Sequence, residues 1–191
     1  MKLMVVLGSV RPESRGRVVA GWVKGAVRTD SRLELDYVDA ATLNLPFYNE
    51  AVSPFSMKRN NQDYTNSEGK IWAERVRRAD GFIFLVAEYN HGYTAVLKNA
   101  IDWVGPEWVD KPVGFISYAT TVIGGSRAVE QLRQVVVEVS LVQVANAIHF
   151  PRIDEAFGED GQPLHPSSND NLKKMLEEIL RLHNIYSPKP L

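Results

Sequence analysis

The segment Gly8-Ser9-Val10-Arg11-Pro12-Glu13-Ser14-Arg15-Gly16-Arg17 gathers two hydroxyls, three guanidinium groups and two glycines into one turn. Such groups hold an anion. Arginine presents a forked, permanently charged donor that matches the oxygens of a phosphate. Hydroxyls and the free backbone N–H groups that open a helix add further donors. The turn lacks the Gly-x-x-x-x-Gly-Lys-Ser/Thr pattern of a P-loop and the Gly-x-Gly-x-x-Gly fingerprint of a dinucleotide site. Side-chain donors suit a terminal monophosphate better than a buried pyrophosphate. A mononucleotide such as FMN fits, and so does a polar loop of solvated arginines.

The flanking elements must position this turn. An apolar run over residues 3–7 leads into it and an amphipathic segment leads out, which predicts a buried strand over 2–7 and a helix over 15–28. Residues 33–38 alternate in polarity and read as a half-exposed edge strand. Residues 39–66 read as one long irregular loop carrying Pro46 and Pro54, and loops of that length are usually functional or disordered. Ser67 is a plausible N-cap for a helix to 78. Strands follow over 81–86 and 112–117, both suited to the centre of a parallel sheet, with a helix over 94–103 between them. A helix over 126–141, a strand over 145–150 and a helix over 168–184 complete the pattern; in the last helix Leu172, Met175, Leu176, Ile179 and Leu182 share one face. The run Val135–Val139 is β-branched and suits a strand by propensity. It reads as helix because Val129, Leu132, Val136 and Val139 lie on one helical face and a parallel crossover needs a helix.

Strands alternating with helices give a doubly wound α/β sandwich with a five-stranded parallel sheet, in the flavodoxin-like order 2-1-3-4-5. One domain over 1–191 is expected at this length. In that topology ligands bind beyond the carboxyl ends of the strands, at the switch between the first and third. The loops after strands one and three should therefore form a site together.

Composition narrows the partners. Of the 191 residues, 45% are apolar and 24% charged, and the net charge is −1. There is no basic footprint for nucleic acid as the main partner. The absence of cysteine excludes disulfides, thiolate metal sites and Cys nucleophiles. None of the histidines, His149, His165 and His183 among them, has metal-ligand spacing. The opening apolar run is too short for a signal peptide and no stretch matches a membrane span, so a cytoplasmic location is expected. Trp103 and Trp108 suit a core or a subunit interface.

The loop after the third strand reads Ala87-Glu88-Tyr89-Asn90-His91-Gly92-Tyr93-Thr94 and runs into Leu97-Lys98-Asn99-Ala100-Ile101-Asp102. The loop after the fourth contains Ser117-Tyr118-Ala119 and then Gly124-Gly125-Ser126-Arg127-Ala128. Together with Gly8-Ser9-Val10-Arg11, these blocks resemble the NAD(P)H-dependent FMN reductase family of flavodoxin-like enzymes, over residues 2–152. Quinone, azo-dye and chromate reductases belong to that family. The resemblance implies FMN as cofactor and NADPH or NADH as hydride donor, with a small-molecule acceptor taking the electrons: a quinone, a flavin, an azo compound or a metal oxyanion. It implies a phosphate loop of Ser9, Arg11, Ser14, Arg15, Gly16 and Arg17. It places Glu88, Tyr89, Asn90 and His91 along the edge of the isoalloxazine, with Ser117, Tyr118, Gly124 and Gly125 as a third wall. His91, or a backbone amide, is the candidate for positive charge near flavin N1 and O2. It also implies a homo-oligomer, dimer or dimer of dimers, with the site near the interface and residues 44–66 reaching the partner. Ala87 stands where the family commonly has proline, and Ala119 where it often has glycine.

Two rival readings share the fold. A flavodoxin-type electron carrier binds FMN without using NAD(P)H, but carriers usually have a Thr-rich loop and a strongly acidic surface. A flavin-free binding or regulatory module is the other, since fold does not fix function.

Overall fold

The computed structural model describes residues 1–186, and strand and helix alternate along them. In chain order they are β1 (Lys2–Gly8), α1 (Gly16–Thr29), β2 (Glu34–Asp39), α2 (Pro54–Arg59), α3 (Ser67–Arg78), β3 (Gly81–Ala87), α4 (Ala95–Asp102), β4 (Pro112–Tyr118), α5 (Ser126–Glu138), β5 (Val142–Gln143), β6 (Ile148–Phe150) and α6 (Ser168–Tyr186). The strands pair in parallel in the order β2-β1-β3-β4-β5, and β6 also pairs with β4. This is the flavodoxin-like order expected from the sequence.

Side-chain alternation sets the layers. Leu3, Val5 and Leu7 of β1 face one way and Met4 and Val6 the other; Ile83 and Leu85 of β3 oppose Phe82, Phe84 and Val86. Both sheet faces are apolar, so both must be covered. α1 and α6 cover the first face, while α3, α4 and α5 cover the second, with Trp72, Trp103 and Trp108 fully buried there. Both of the latter two tryptophans are thus core residues. β2 pairs only with β1 and stays half exposed, as its alternation predicts.

Four local features differ from the sequence expectations. The strand expected over 145–150 forms only at 148–150, as β6; the short strand β5 lies before the expected span at 142–143, and 144–147 between them is irregular. There the Ala145 N–H donates to Glu178 (3.2 Å) and Arg133 donates to the Ala145 carbonyl (3.4 Å), so side chains of α6 and α5 replace ladder bonds. The helix expected to reach 141 ends at Glu138. Ser140 adopts φ +61°, its N–H bonds the Val137 carbonyl and that of Leu141 the Val136 carbonyl. That is a Schellman stop, which normally uses glycine. The N-cap of α3 is Asn66, whose side chain accepts from the Gly69 N–H at 2.9 Å, not Ser67. Within the expected loop 39–66 the short helix α2 forms behind the Ser53 cap, with Pro54 at its first turn. The β-branched run Val135–Val139 is helical up to Glu138, with Val129, Leu132 and Val136 buried. Packing of one face overrides propensity.

Candidate active site

Strand register brings three loops together. Gly8 of β1 lies beside Val86 of β3, and Ala87 of β3 beside Tyr118 of β4. The chain leaving each strand opens onto one cavity of about 660 Å³. Its lining comes from Ser9, Arg11, Ser14 and Arg15 after β1, from Glu88 and Tyr89 after β3, and from Tyr118, Ala119 and Thr120 after β4. It sits at the topological switch point, where this fold binds ligands.

Two hydroxyl pairs lace the loops together. Ser9 Oγ lies 3.2 Å from the Tyr89 hydroxyl, and Ser14 Oγ lies 3.0 Å from that of Tyr118. Both serines are buried. Each also accepts from the backbone two residues on: Ser9 from the Arg11 N–H, Ser14 from that of Gly16. Burial pushes the Tyr118 phenol above its ordinary pKa, so it stays a proton-bearing donor. Thr94 ties β1 to the next loop, donating to the Gly8 carbonyl at 2.7 Å while its Oγ1 caps α4.

The cations of the first loop divide by partner. Arg17 turns away, pairing with Asp39 at 2.6 Å and donating to the Pro12 carbonyl. Arg15 pairs with Asp154 at 2.6 Å across the cavity wall. The Arg11 guanidinium meets no acceptor among the described residues. Behind it, the first turn of the 14-residue helix α1 carries no acidic residue, and its leading N–H groups go to Ser14 Oγ and to the Ser14 and Arg15 carbonyls. The positive end of a helix dipole beside an unpaired arginine favours an anion.

The second loop is a tight turn. Tyr89 and Gly92 exchange N–H···O bonds of 2.8 and 3.0 Å, with Asn90 at φ +50° and His91 at φ +71° between them. Both central residues are left-handed, a geometry glycine and asparagine adopt most easily. Gln131 holds it by donating to the His91 carbonyl at 2.9 Å. Arg127 of α5 donates to His91 Nε2 at 2.8 Å, since a guanidinium cannot accept. The same arginine donates twice to Glu88 Oε1, through Nε at 2.7 Å and through Nη2. The Glu88 side chain is only 5% exposed, yet its Oε2 has no donor.

The remaining expected site residues build the walls rather than line the cavity. A Cβ on Gly16 would lie 2.2 Å from the Tyr118 hydroxyl and 2.5 Å from Leu7, so this glycine lets α1 start against β4. Gly124 (φ +65°) and Gly125 (φ +84°) turn the chain into α5, and a Cβ on either would come within 3 Å of the Pro151 nitrogen or of Ser117. Ser117 is fully buried; its Oγ donates to the Gly124 carbonyl at 2.7 Å and accepts from His149 Nδ1 at 2.7 Å. Burial and the nearby Arg133 charge hold His149 below its ordinary pKa, which keeps the ring neutral. Asn90 and His91 lie exposed on the turn. Sequence reasoning did not single out Thr120, Ile153 or Asp154, which line the cavity, nor Arg127, which anchors Glu88. Arg127 was visible within Gly-Gly-Ser-Arg-Ala. Ile153 and Asp154 sit in a short turn after β6 that no pattern marks.

The donor set fits FMN. A phosphate suits the Arg11 guanidinium and the positive end of the α1 dipole, and a flavin ring brings a donor for the orphaned Glu88 oxygen.

The chain is similar to known proteins in fold and in sequence. The solved structure of FerB, a flavoenzyme NAD(P)H:(acceptor) oxidoreductase from Paracoccus denitrificans, superposes with a TM-score of 0.76, covering 97% of this chain and 98% of that one at 21% identity. That likeness shows the fold. The NAD(P)H-dependent FMN reductase ntnL of a Nectria species is 37% identical over 146 residues, 75% of this chain and 71% of that protein. The NAD(P)H-dependent FMN reductase LOT6 of Saccharomyces cerevisiae is 29% identical over 188 residues, 94% and 97% of the two chains. The family described as NADPH-dependent FMN reductase matches residues 1–155, a span that takes in β1 through β6 and every loop of the cavity. The chain therefore belongs to the NADPH-dependent FMN reductase family and is an oxidoreductase of that class.

Proposed function

We propose that the cavity beyond β1, β3 and β4 holds FMN, with its phosphate at Ser9, Arg11, Ser14 and Arg15 and its ring against Glu88, Tyr89 and Tyr118. The observation that carries this is the convergence of an unpaired arginine, the positive end of α1 and an orphaned carboxylate oxygen on one cavity. Arg11 supplies charge to the phosphate, and each charge-assisted bond contributes about 1.5–3 kcal/mol. Ser9 and Ser14 orient it and hold Tyr89 and Tyr118 in place. Gly16, Arg17, Asn90, His91, Ser117, Gly124 and Gly125 act one step back, fixing loop shape. FMN, when bound, supplies the hydride chemistry, so the protein needs no acid–base dyad.

NADPH or NADH and then a small acceptor use the same open side in turn, which predicts ping-pong kinetics. The exposed apolar side chains Val10, Tyr89, Val122 and Ile123 on the three loops suit a flat, weakly polar acceptor such as a quinone. The whole of 1–191 acts as one FMN-binding domain, although residues 187–191 lie outside those described. It works in the cytoplasm as a dimer or dimer of dimers, with segment 44–66 reaching the partner's site. Among the described residues no helix is long and apolar enough to cross a membrane.

The test is a visible spectrum of the purified protein with FMN, before and after NADPH or NADH is added without oxygen. Bound flavin that bleaches on adding the nucleotide is the expected result. Bound flavin that does not bleach indicates a carrier, and no binding overturns the site.

A further inference from the structure

Glu88 Oε2 is the one buried side-chain oxygen or nitrogen among the described residues that lacks a hydrogen-bond partner. Its carboxylate is fixed. Oε1 takes both donors from Arg127, and Arg127 is itself held by His91. The free oxygen cannot easily turn to find a partner, and the residue lines the cavity. Leaving a buried acceptor unsatisfied is costly, so a ligand that fills this cavity must bring a donor to this point.

Resting on the FMN reading above, we propose that Glu88 Oε2 accepts a hydrogen bond from the imide N3–H of the flavin, and that this pair recognises the pyrimidine end of the ring. The argument is one of matching obligations. A carboxylate oxygen only accepts. In the oxidised flavin ring system N3–H is the sole N–H, and it only donates. The ribityl hydroxyls both donate and accept, and they rotate, so many other partners satisfy them. Pairing the obligate acceptor with the obligate donor leaves neither stranded, which fixes the ring's orientation as well as its affinity. Glu88 is on this account a specificity residue for the cofactor and takes no proton during turnover. Arg127 is a positioning residue, aiming the carboxylate from behind.

The experiment compares dissociation constants for FMN and for FMN methylated at N3, read from quenching of flavin fluorescence. In the unaltered protein the methylated flavin should bind at least tenfold more weakly. In Glu88→Gln the single amide oxygen stays with the two Arg127 donors and the NH2, itself a donor, faces the flavin, so most of that ratio should be lost. In Glu88→Ala it should fall to within twofold of unity. Equal binding of the two flavins by the unaltered protein overturns the assignment without any variant and leaves the FMN reading standing. A ratio that survives Glu88→Ala also overturns it. Failure to bind FMN at all overturns both this inference and the reading beneath it.

Discussion

Two motif blocks of this chain sit side by side and do different work. In the cavity loops, polar groups are left without partners: the Arg11 guanidinium and Glu88 Oε2. In the block Leu97–Trp103, every polar side chain is satisfied internally. Asn99 accepts from the Tyr48 N–H at 3.2 Å and donates to the Leu45 and Pro46 carbonyls at 3.4 and 2.9 Å. Trp103 Nε1 donates to the same Pro46 carbonyl at 2.6 Å, and Lys98 pairs with Asp102. That block pins segment 45–48 against α4. Both blocks are equally prominent in the sequence. The difference teaches that a residue's place in a motif does not say whether it holds a ligand or the scaffold; a buried or charged group left without a partner does.

Gly16 is the sharpest challenge to that division, because it belongs to the phosphate loop by sequence and to the scaffold by contact. Gly16→Ala puts a methyl against Tyr118 and Leu7 and should cost about 3 kcal/mol of stability in urea unfolding. A loss below about 1 kcal/mol would mean that α1 shifts freely. Asn99→Ala strands the Leu45 carbonyl and the Tyr48 N–H, Pro46 keeping Trp103, and should cost about 2 kcal/mol, while FMN affinity stays within threefold. A large affinity loss at unchanged stability would move Asn99 to the ligand side. Arg11→Ala should do the opposite. FMN binding should weaken at least tenfold, about 1.4 kcal/mol, with the melting temperature of the flavin-free protein unchanged.

The smallest effect lies on the scaffold side. Lys111 donates to the Val76 and Arg77 carbonyls at the end of α3, and burial pushes its ammonium down to about 8 from 10.5. The unfolded chain keeps that proton up to 10.5 and the folded one loses it near 8, so stability should rise with pH across this window. Screened by its partial exposure, the gain is on the order of 1 kcal/mol. Lys111→Met should lack this rise in a pH series of urea unfolding curves, and an unchanged slope would discount the lysine.

The sheet order was legible because β1, β3 and β4 are unbroken apolar runs and the helices between them are periodic. The edge was not. Whether 142–150 pairs as one strand or two depends on Arg133 of the preceding helix and Glu178 of α6 reaching in, and the local polarity pattern carries no trace of that. Cap residues followed the same logic: Asn66 and Ser67 are both good caps, and only the bond to Gly69 separates them. In the site, loop membership was readable from motif spacing, but side-chain direction was not. Arg15 and Arg17 are two residues apart and point to Asp154 and Asp39 respectively. The acids that decide this are far along the chain.

The broken edge also governs how this molecule behaves toward its own copies. An open sheet ends in rows of free N–H and C=O groups, which invite another strand to add on. Here the β4 side ends in pieces of two and three residues, separated by a stretch in which the Ala145 N–H and C=O are taken by Glu178 and Arg133. No continuous ladder remains there for a foreign strand to copy. The interruption that spoils the regular strand guards that end of the sheet against edge-to-edge aggregation.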